Sequence, residues 1–279
     1  MTLSINTNRG AMIALQALNA TNSSLISTQR HISTGLKING PKDDASTYAI
    51  AQSMRGDIAG MDAVKLSLSG GSSIVDTAIE GARAVSDLLI EMKAKAVQAS
   101  QDGLDAASQN AIDSDFDNMV EQLQEIVNSS KFNGTNLIDA SVTTLNVLSS
   151  VDGDFINVRG QDLNTTTIGQ TSTSGNTISQ ADLSSSANAL IALDIIDSAI
   201  DEVSASLAEL GSDGNRLELQ NDFTTKLRDI LTAGVGNLVD ADLAEESAKL
   251  AALQVKQQLG TQSLAIANQS PQIILSLFQ

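Results

Sequence analysis

The sequence contains no cysteine, two prolines and a single histidine. Without cysteine there is no disulfide framework, no thiolate nucleophile and no cysteine-ligated metal. With His31 as the only imidazole, a histidine metal cluster is excluded, and any Ser-His-Asp arrangement would have to be built on that residue. Aromatic residues make up 2% of the 279, with no Trp and one Tyr, so a bulky globular core has little to be built from. Basic residues are scarce too: 16 Lys and Arg stand against 33 Asp and Glu, for a net charge of −17. A nucleic-acid binder needs a basic patch to neutralise phosphates, and this balance is the reverse. No run reaches the roughly 18 to 20 apolar residues of a membrane helix, so no membrane insertion is expected. The run Ala11–Leu18 after Arg9 mimics a signal peptide, but Gln16 interrupts it and the apolar pattern continues beyond. Export without a cleaved leader is the expectation.

What is present is 42% hydrophobic, mostly Ala, Leu, Ile and Val. That is too much for a disordered chain, and it suits long helices with narrow seams. Two breaks lie near the ends: Asn39-Gly40-Pro41, and Gly234-Val235-Gly236-Asn237. After them Asp44 and Asp242 are placed to cap new helices. The flanking segments have matched length, as two helices lying side by side require. Their seams carry Leu15, Leu18, Leu25, Ile32 and Leu36 at one end. At the other stand Leu243, Leu250, Leu253, Leu264, Ile274 and Leu277. Polar Asn22 and Gln29 interrupt the first seam, so the pair is weak for a free coiled coil.

Residues 45–101 are more regular. Met61, Leu68, Val75, Ala82, Leu89 and Ala96 recur every seven residues, and Val64, Gly71, Ala78, Val85, Met92 and Ala99 follow three residues behind. A second helix is expected over 105–129 and a third over 187–233. The third seam runs Leu193, Ile196, Ile200, Val203, Leu207, Leu210 and Leu217, then Phe223, Leu227 and Ile230. Between them, 144–148 and 155–158 alternate around Asp152-Gly153, which reads as a β-hairpin. The Thr/Ser-rich tract that follows reads as a surface excursion. Thr165, Thr166, Thr167, Thr171, Ser172 and Thr173 there are candidates for hydroxyl-linked modification.

The fold class expected is mainly α: an elongated, coiled-coil-like helical rod built from both chain ends, with a small β-hairpin region in the middle. Residues 1–42 and 238–279 form the paired terminal helices, 43–139 and 184–237 the helical rod, and 140–183 a short variable region. Met61, Leu68, Val75, Leu89, Leu193, Ile200, Leu207 and Leu217 mark the rod seam. No phosphate-cradling glycine loop is present. The carboxylates at Asp43-Asp44 and Asp240/Asp242 are explained by helix capping. Asp113, Asp115 and Asp117 alternate like part of a calcium loop but lack its glycine and closing glutamate. No catalytic residue, cofactor site or metal site is expected.

The terminal segments carry a resemblance. SINTNRGAMIALQALNATNSSL and ISTGLKINGPKDDASTYAIA resemble the N-terminal region of bacterial flagellin. LGSDGNRLELQNDF and NLVDADLAEESAKLAALQVKQQLGTQSLAIANQSPQIILSLFQ resemble its C-terminal region, and KFNG at 131–134 fits the same family. The short middle is most similar to the compact flagellins of alphaproteobacteria. The chain departs from the family's usual pattern at Ser46-Thr47-Tyr48 and at Lys93-Ala94-Lys95. The resemblance implies a structural subunit of the extracellular flagellar filament, with the terminal helices lining an inner tube. It implies a homopolymer as the main partner, sibling flagellins as co-subunits, and contacts with the export apparatus, an export chaperone, the filament cap and hook-junction proteins. A hook–filament junction protein and a secreted coiled-coil interaction module are the alternatives.

Overall fold

The computed structural model describes the backbone of residues 7–276 and the side chains as far as 269. The described residues form five α-helices, α1 (Arg9–Thr34), α2 (Ala45–Ala99), α3 (Ala106–Ser129), α4 (Ser186–Val239) and α5 (Leu243–Ser276). Two small antiparallel hairpins, β1 (Lys131–Phe132) with β2 (Thr135–Asn136) and β3 (Thr144–Leu148) with β4 (Phe155–Arg159), lie between α3 and α4. The fold is mainly α. Two compact units divide it, one of residues 1–58 and 229–279, the other of 59–228.

The 59–228 unit is built on the heptad stripe of α2. Val64, Leu68, Val75, Ala78, Ala82, Val85, Leu89, Met92, Ala96 and Ala99 all join its core. Phe116 and Leu123 of α3 and Ile195, Ile196, Val203, Leu210 and Leu217 of α4 close it. The longer hairpin pairs Thr144 with Arg159 through Leu148 with Phe155, and its tip turns at Gly153, φ 95°. It sits on α2 only because that surface is small. A Cβ on Gly71 would lie 2.6 Å from Val147 Cγ2, and one on Gly60 the same distance from Val151 Cγ1. Between them the Ser67 hydroxyl accepts from the Leu148 amide at 3.1 Å.

Three expectations need correction. Residues 234–237 do not end a helix: α4 runs through them to Val239, with Val235 and Val239 buried beside Ile38 and Ala51. Gly234 there reflects close packing, since a Cβ would stand 3.0 Å from the Met54 methyl. The actual break is at Asp240–Asp242. Second, the seam of α4 leaves the predicted line after Leu217, because Phe223 and Ile230 are 57% and 66% exposed. The inward line passes instead through Gln220, Thr224 and Arg228, all at least half-buried. Hydrogen bonding allows this: Gln220 donates to the Ser149 carbonyl at 2.9 Å, and Arg228 pairs with Asp62 at 2.9 Å.

Third, the tract after β4 is not a free excursion. Leu163, Thr165, Ile168, Ser172, Thr177, Ile178 and Leu183 are buried. Gln124 of α3 accepts from both the amide and the hydroxyl of Thr165, at 3.1 and 2.8 Å. Glu202 of α4 accepts from the Gly169 amide at 2.9 Å and the Thr171 hydroxyl at 2.6 Å. Polar chains on the helices anchor a polar segment, which hydropathy cannot register.

Candidate subunit-packing surface

The terminal helices pair antiparallel within the 1–58/229–279 unit. Asn8 begins α1: its side-chain oxygen accepts from the Ala11 amide at 3.0 Å, while its amide nitrogen donates across to the Ala267 carbonyl at 2.7 Å. Gly35, at φ 71°, ends α1 and returns its amide to the His31 carbonyl. That left-handed position suits glycine, as expected one step past a helix. Backbone hydrogen bonds then tie the two junctions together, from Lys37 to the Val239 carbonyl at 2.7 Å and from Ala241 to the Gly35 carbonyl at 2.9 Å.

Asp44 and Asp242 cap the helices that follow them. The Asp44 carboxylate accepts from the Ser46 and Thr47 amides at 2.9 and 3.1 Å, and that of Asp242 from Ala244 and Glu245 at 2.9 and 3.2 Å. The hydrogen bonds from Thr47, opposed by slight desolvation, hold the Asp44 carboxyl below the usual range.

Of the seam residues, Leu253 is buried, and Leu18, Leu25, Ile32, Leu36, Leu250 and Leu264 are half-buried. Leu15 and Leu243 are about half exposed, at 48% and 51%. The side chain of Ile274, and Leu277 altogether, lie outside the described residues. In the other unit Met61, Leu68, Val75, Leu89 and Leu217 are buried, and Leu193, Ile200 and Leu207 are half-buried. Among the modification candidates, Thr166, Thr171 and Thr173 are exposed, Thr167 is half-buried, and Thr165 and Ser172 are buried.

Apolar periodicity alone missed several contacts. Gln257 donates to Asn22 at 2.8 Å across the helix pair. His31 Nδ1 lies 3.1 Å from Glu246 Oε1, with both side chains nearly enclosed, 13% and 11% exposed. The hydrogen bond from His31 is the main reason the Glu246 carboxyl is held below its ordinary value, with burial opposing and Thr28 and Lys249 assisting. Gly260 lets Leu18 approach to 3.2 Å of where a Cβ would stand. A signal did exist for Gln257: it falls seven residues after Leu250 and seven before Leu264.

The opposite sides of the pair are apolar and open. Met12, Ile13 and Ile26 on α1 are 65%, 65% and 58% exposed, and Val255, Leu259 and Ile266 on α5 are 55%, 59% and 63% exposed. Large apolar patches on a soluble chain mark surfaces that other molecules cover. No helix among the described residues is long and apolar enough to cross a membrane.

A capped, weakly seamed helix pair with apolar outer faces fits a structural protein of the self-assembling helical class. Family models place the chain more narrowly: residues 5–143 match the bacterial flagellin N-terminal helical region, and 193–278 the C-terminal helical region. The chain belongs to the bacterial flagellin family; its role is structural, in the flagellar filament, and it is not an enzyme. It is 46% identical over 276 residues to flagellin FljK of Caulobacter vibrioides, covering 99% of this chain and 98% of that one. To a flagellin of Brucella melitensis it is 36% identical over 283 residues, 99% of each chain. To flagellin C of Rhizobium meliloti it is 34% identical over 321 residues, again 99% of each. Among solved structures, a putative flagellar hook-associated protein from Vibrio parahaemolyticus shares the fold: TM-score 0.59, 12% identity, 71% of this chain and all of that one.

Proposed function

We propose that the paired α1 and α5 helices are the surface through which copies of this chain build the filament. The observation that carries this is the apolar exposure of Met12, Ile13, Ile26, Val255, Leu259 and Ile266, which the described residues leave uncovered. Assembly is open and heterologous, one face of a copy meeting a different face of the next, so growth continues instead of closing into a ring. In this reading residues 1–42 and 238–279 form the inner core, 43–139 and 184–237 the surrounding helical layer, and 140–183 the variable region. Leu15, Leu18, Leu25, Ile32, Leu36, Leu243, Leu250, Leu253, Leu264, Ile274 and Leu277 serve packing. The exposed Thr166, Thr171 and Thr173 are the hydroxyls open to modification. Export apparatus, chaperone, cap and hook-junction proteins are partners on the way to the filament.

The test is electron microscopy and light scattering of Leu25→Asp and Leu264→Asp variants with added seeds. A carboxylate placed among packed helices costs at least about 1–3 kcal/mol per burial. Both variants are expected to lose filaments while the 59–228 unit keeps its helical circular dichroism. Normal polymerisation of either at matched concentration removes the terminal helices as the assembly core.

A further inference from the structure

Asparagine followed by glycine is chemically unstable, because glycine has no Cβ to shield its backbone nitrogen from the neighbouring carboxamide. Asn39-Gly40 is such a pair, placed where α1 has ended and α2 has yet to begin. Asn39 is exposed, and no described residue hydrogen-bonds its side chain, so nothing restrains the carboxamide. The backbone is held differently. Asp43 Oδ2 accepts from both the Asn39 and the Gly40 amides, at 3.1 and 3.2 Å. The Asp43 amide in turn donates to the Gly40 carbonyl at 3.1 Å, across a turn that Pro41 stiffens at its second position. Arg30 stands 3.8 Å from the other carboxylate oxygen and draws it towards the end of α1.

We propose that Asn39–Gly40 is a latent site of self-modification by succinimide formation, and that the Asp43 carboxylate keeps it dormant. The reaction needs the Gly40 nitrogen to lose its proton and attack Cγ of Asn39. The N–Cγ bond forms, the Cγ–Nδ2 bond breaks, and the side-chain amide leaves as ammonia. Water then opens the imide at either carbonyl, giving aspartate or isoaspartate. Asp43 opposes ionisation, since it engages the N–H that must be lost and its negative charge repels the amide anion that would form. It opposes attack by geometry as well. Two successive amides that meet one oxygen lie on the same side of the Asn39 Cα. Ring closure requires the Gly40 nitrogen to swing round towards Cβ, which breaks that pairing.

The stake lies one residue away. Isoaspartate would add a methylene to the main chain beside Ile38, which is buried with Ala51, Val235 and Val239. The Lys37 and Ile38 amides both donate to the Val239 carbonyl, so a lengthened backbone would disturb that junction. The inference is independent of the packing role proposed above.

The test ages full-length chain at neutral pH and follows the tryptic peptide 38–42 by mass spectrometry, with isoaspartate scored by isoaspartyl methyltransferase labelling. Urea-denatured chain sets the unguarded rate. A hydrogen bond to a charged group must be given up before attack, so native chain should react about tenfold or more slowly than denatured chain. Asp43→Ala should bring the native rate close to the denatured one. Adding Gly40→Ala to it should slow the reaction again, since a methyl shields the nitrogen and no atom stands within 4 Å of where that Cβ would lie. Asp44→Ala is the control for general loosening. It removes the cap of α2 but leaves both amides on Asp43, so Asn39 should stay protected.

Equal rates in native and denatured wild-type chain would overturn the proposal. So would an Asp43→Ala rate no higher than wild type. An Asp44→Ala rate equal to that of Asp43→Ala would do the same, by making protection a matter of local order. Should Asp43→Ala lose its helical circular dichroism, Asp43→Asn decides. It keeps an acceptor of the same shape without the charge and must still deamidate at Asn39 faster than wild type; an unchanged rate removes the carboxylate's role.

Discussion

Glu246 shows how one residue couples the helix pair to pH. Its carboxyl is held below the ordinary value of 4.5 chiefly by His31. A depressed folded-state value means that the separated helices bind the proton more readily than the paired ones. The stabilisation is therefore complete above about pH 4.5 and is lost as pH falls through the lower, paired-state value. Filaments titrated from about pH 6 downward should dissociate in that acid window, and Glu246→Gln should blunt the dependence measured by light scattering. Asp117 has the opposite sign, since desolvation and the nearby Asp113, Asp182 and Glu121 carboxylates raise its value. That cost weighs against the 59–228 unit at neutral pH and is relieved by acid, whereas Asp105 and Asp182 of the same unit, held below the ordinary value by hydrogen bonds from Ser108 and Ser184, lose stabilisation in acid as Glu246 does.

Single elements differ sharply in how firmly they are held. On α2, Leu68, Leu89 and Met92 are completely buried. On α1 and α5 the described buried residues are Thr28, Glu246 and Leu253. Helices with so little enclosed apolar surface open at low cost. Amide exchange in the free monomer should thus be much faster over 9–34 and 243–269 than over 61–99, and filament formation should slow it. Equal protection in the monomer would show that the pair is stable before assembly. The long hairpin depends on the glycines beneath it. Gly71→Ala would improve helix propensity by up to about 1 kcal/mol in an exposed setting, yet here its methyl meets Val147 at 2.6 Å. The overpacking should dominate and lower the melting stability of the 59–228 unit by about 1–3 kcal/mol. A rise in stability would mean that the hairpin yields freely.

For the whole molecule the governing quantity is charge. Each subunit carries −17, and bringing many copies together concentrates that charge, which opposes packing. Screening shortens its reach from about 30 Å at ~0.01 M salt to about 10 Å at ~0.1 M. The critical concentration for polymerisation should therefore fall between those salt levels. Light scattering against protein concentration at each salt level measures the threshold. A threshold independent of salt would leave the apolar faces, not charge, in control of assembly.

Much of this was determined by the sequence alone. The seven-residue recurrence in α2 is carried by side chains whose burial needs no knowledge of partners, since apolar residues on one face must leave water together. The capping positions Asp44 and Asp242 were legible because a helix start leaves amides that only a nearby side chain can reach. The terminal motifs were legible as flagellin for the same local reason, being contiguous in the chain. Tertiary structure decided whatever depended on a distant partner. Thr165 and Ser172 look like surface residues until Gln124 and the folded tract enclose them. Gly234 and Gly236 look like a break until Val235 and Val239 are seen packed in a continuing helix. Gln220, Arg228, His31 and Gln257 are polar in any hydropathy reading, and each turns inward because a partner many residues away satisfies it. Apolar burial can be read from one side of a contact, whereas a hydrogen bond exists only when both sides are in place.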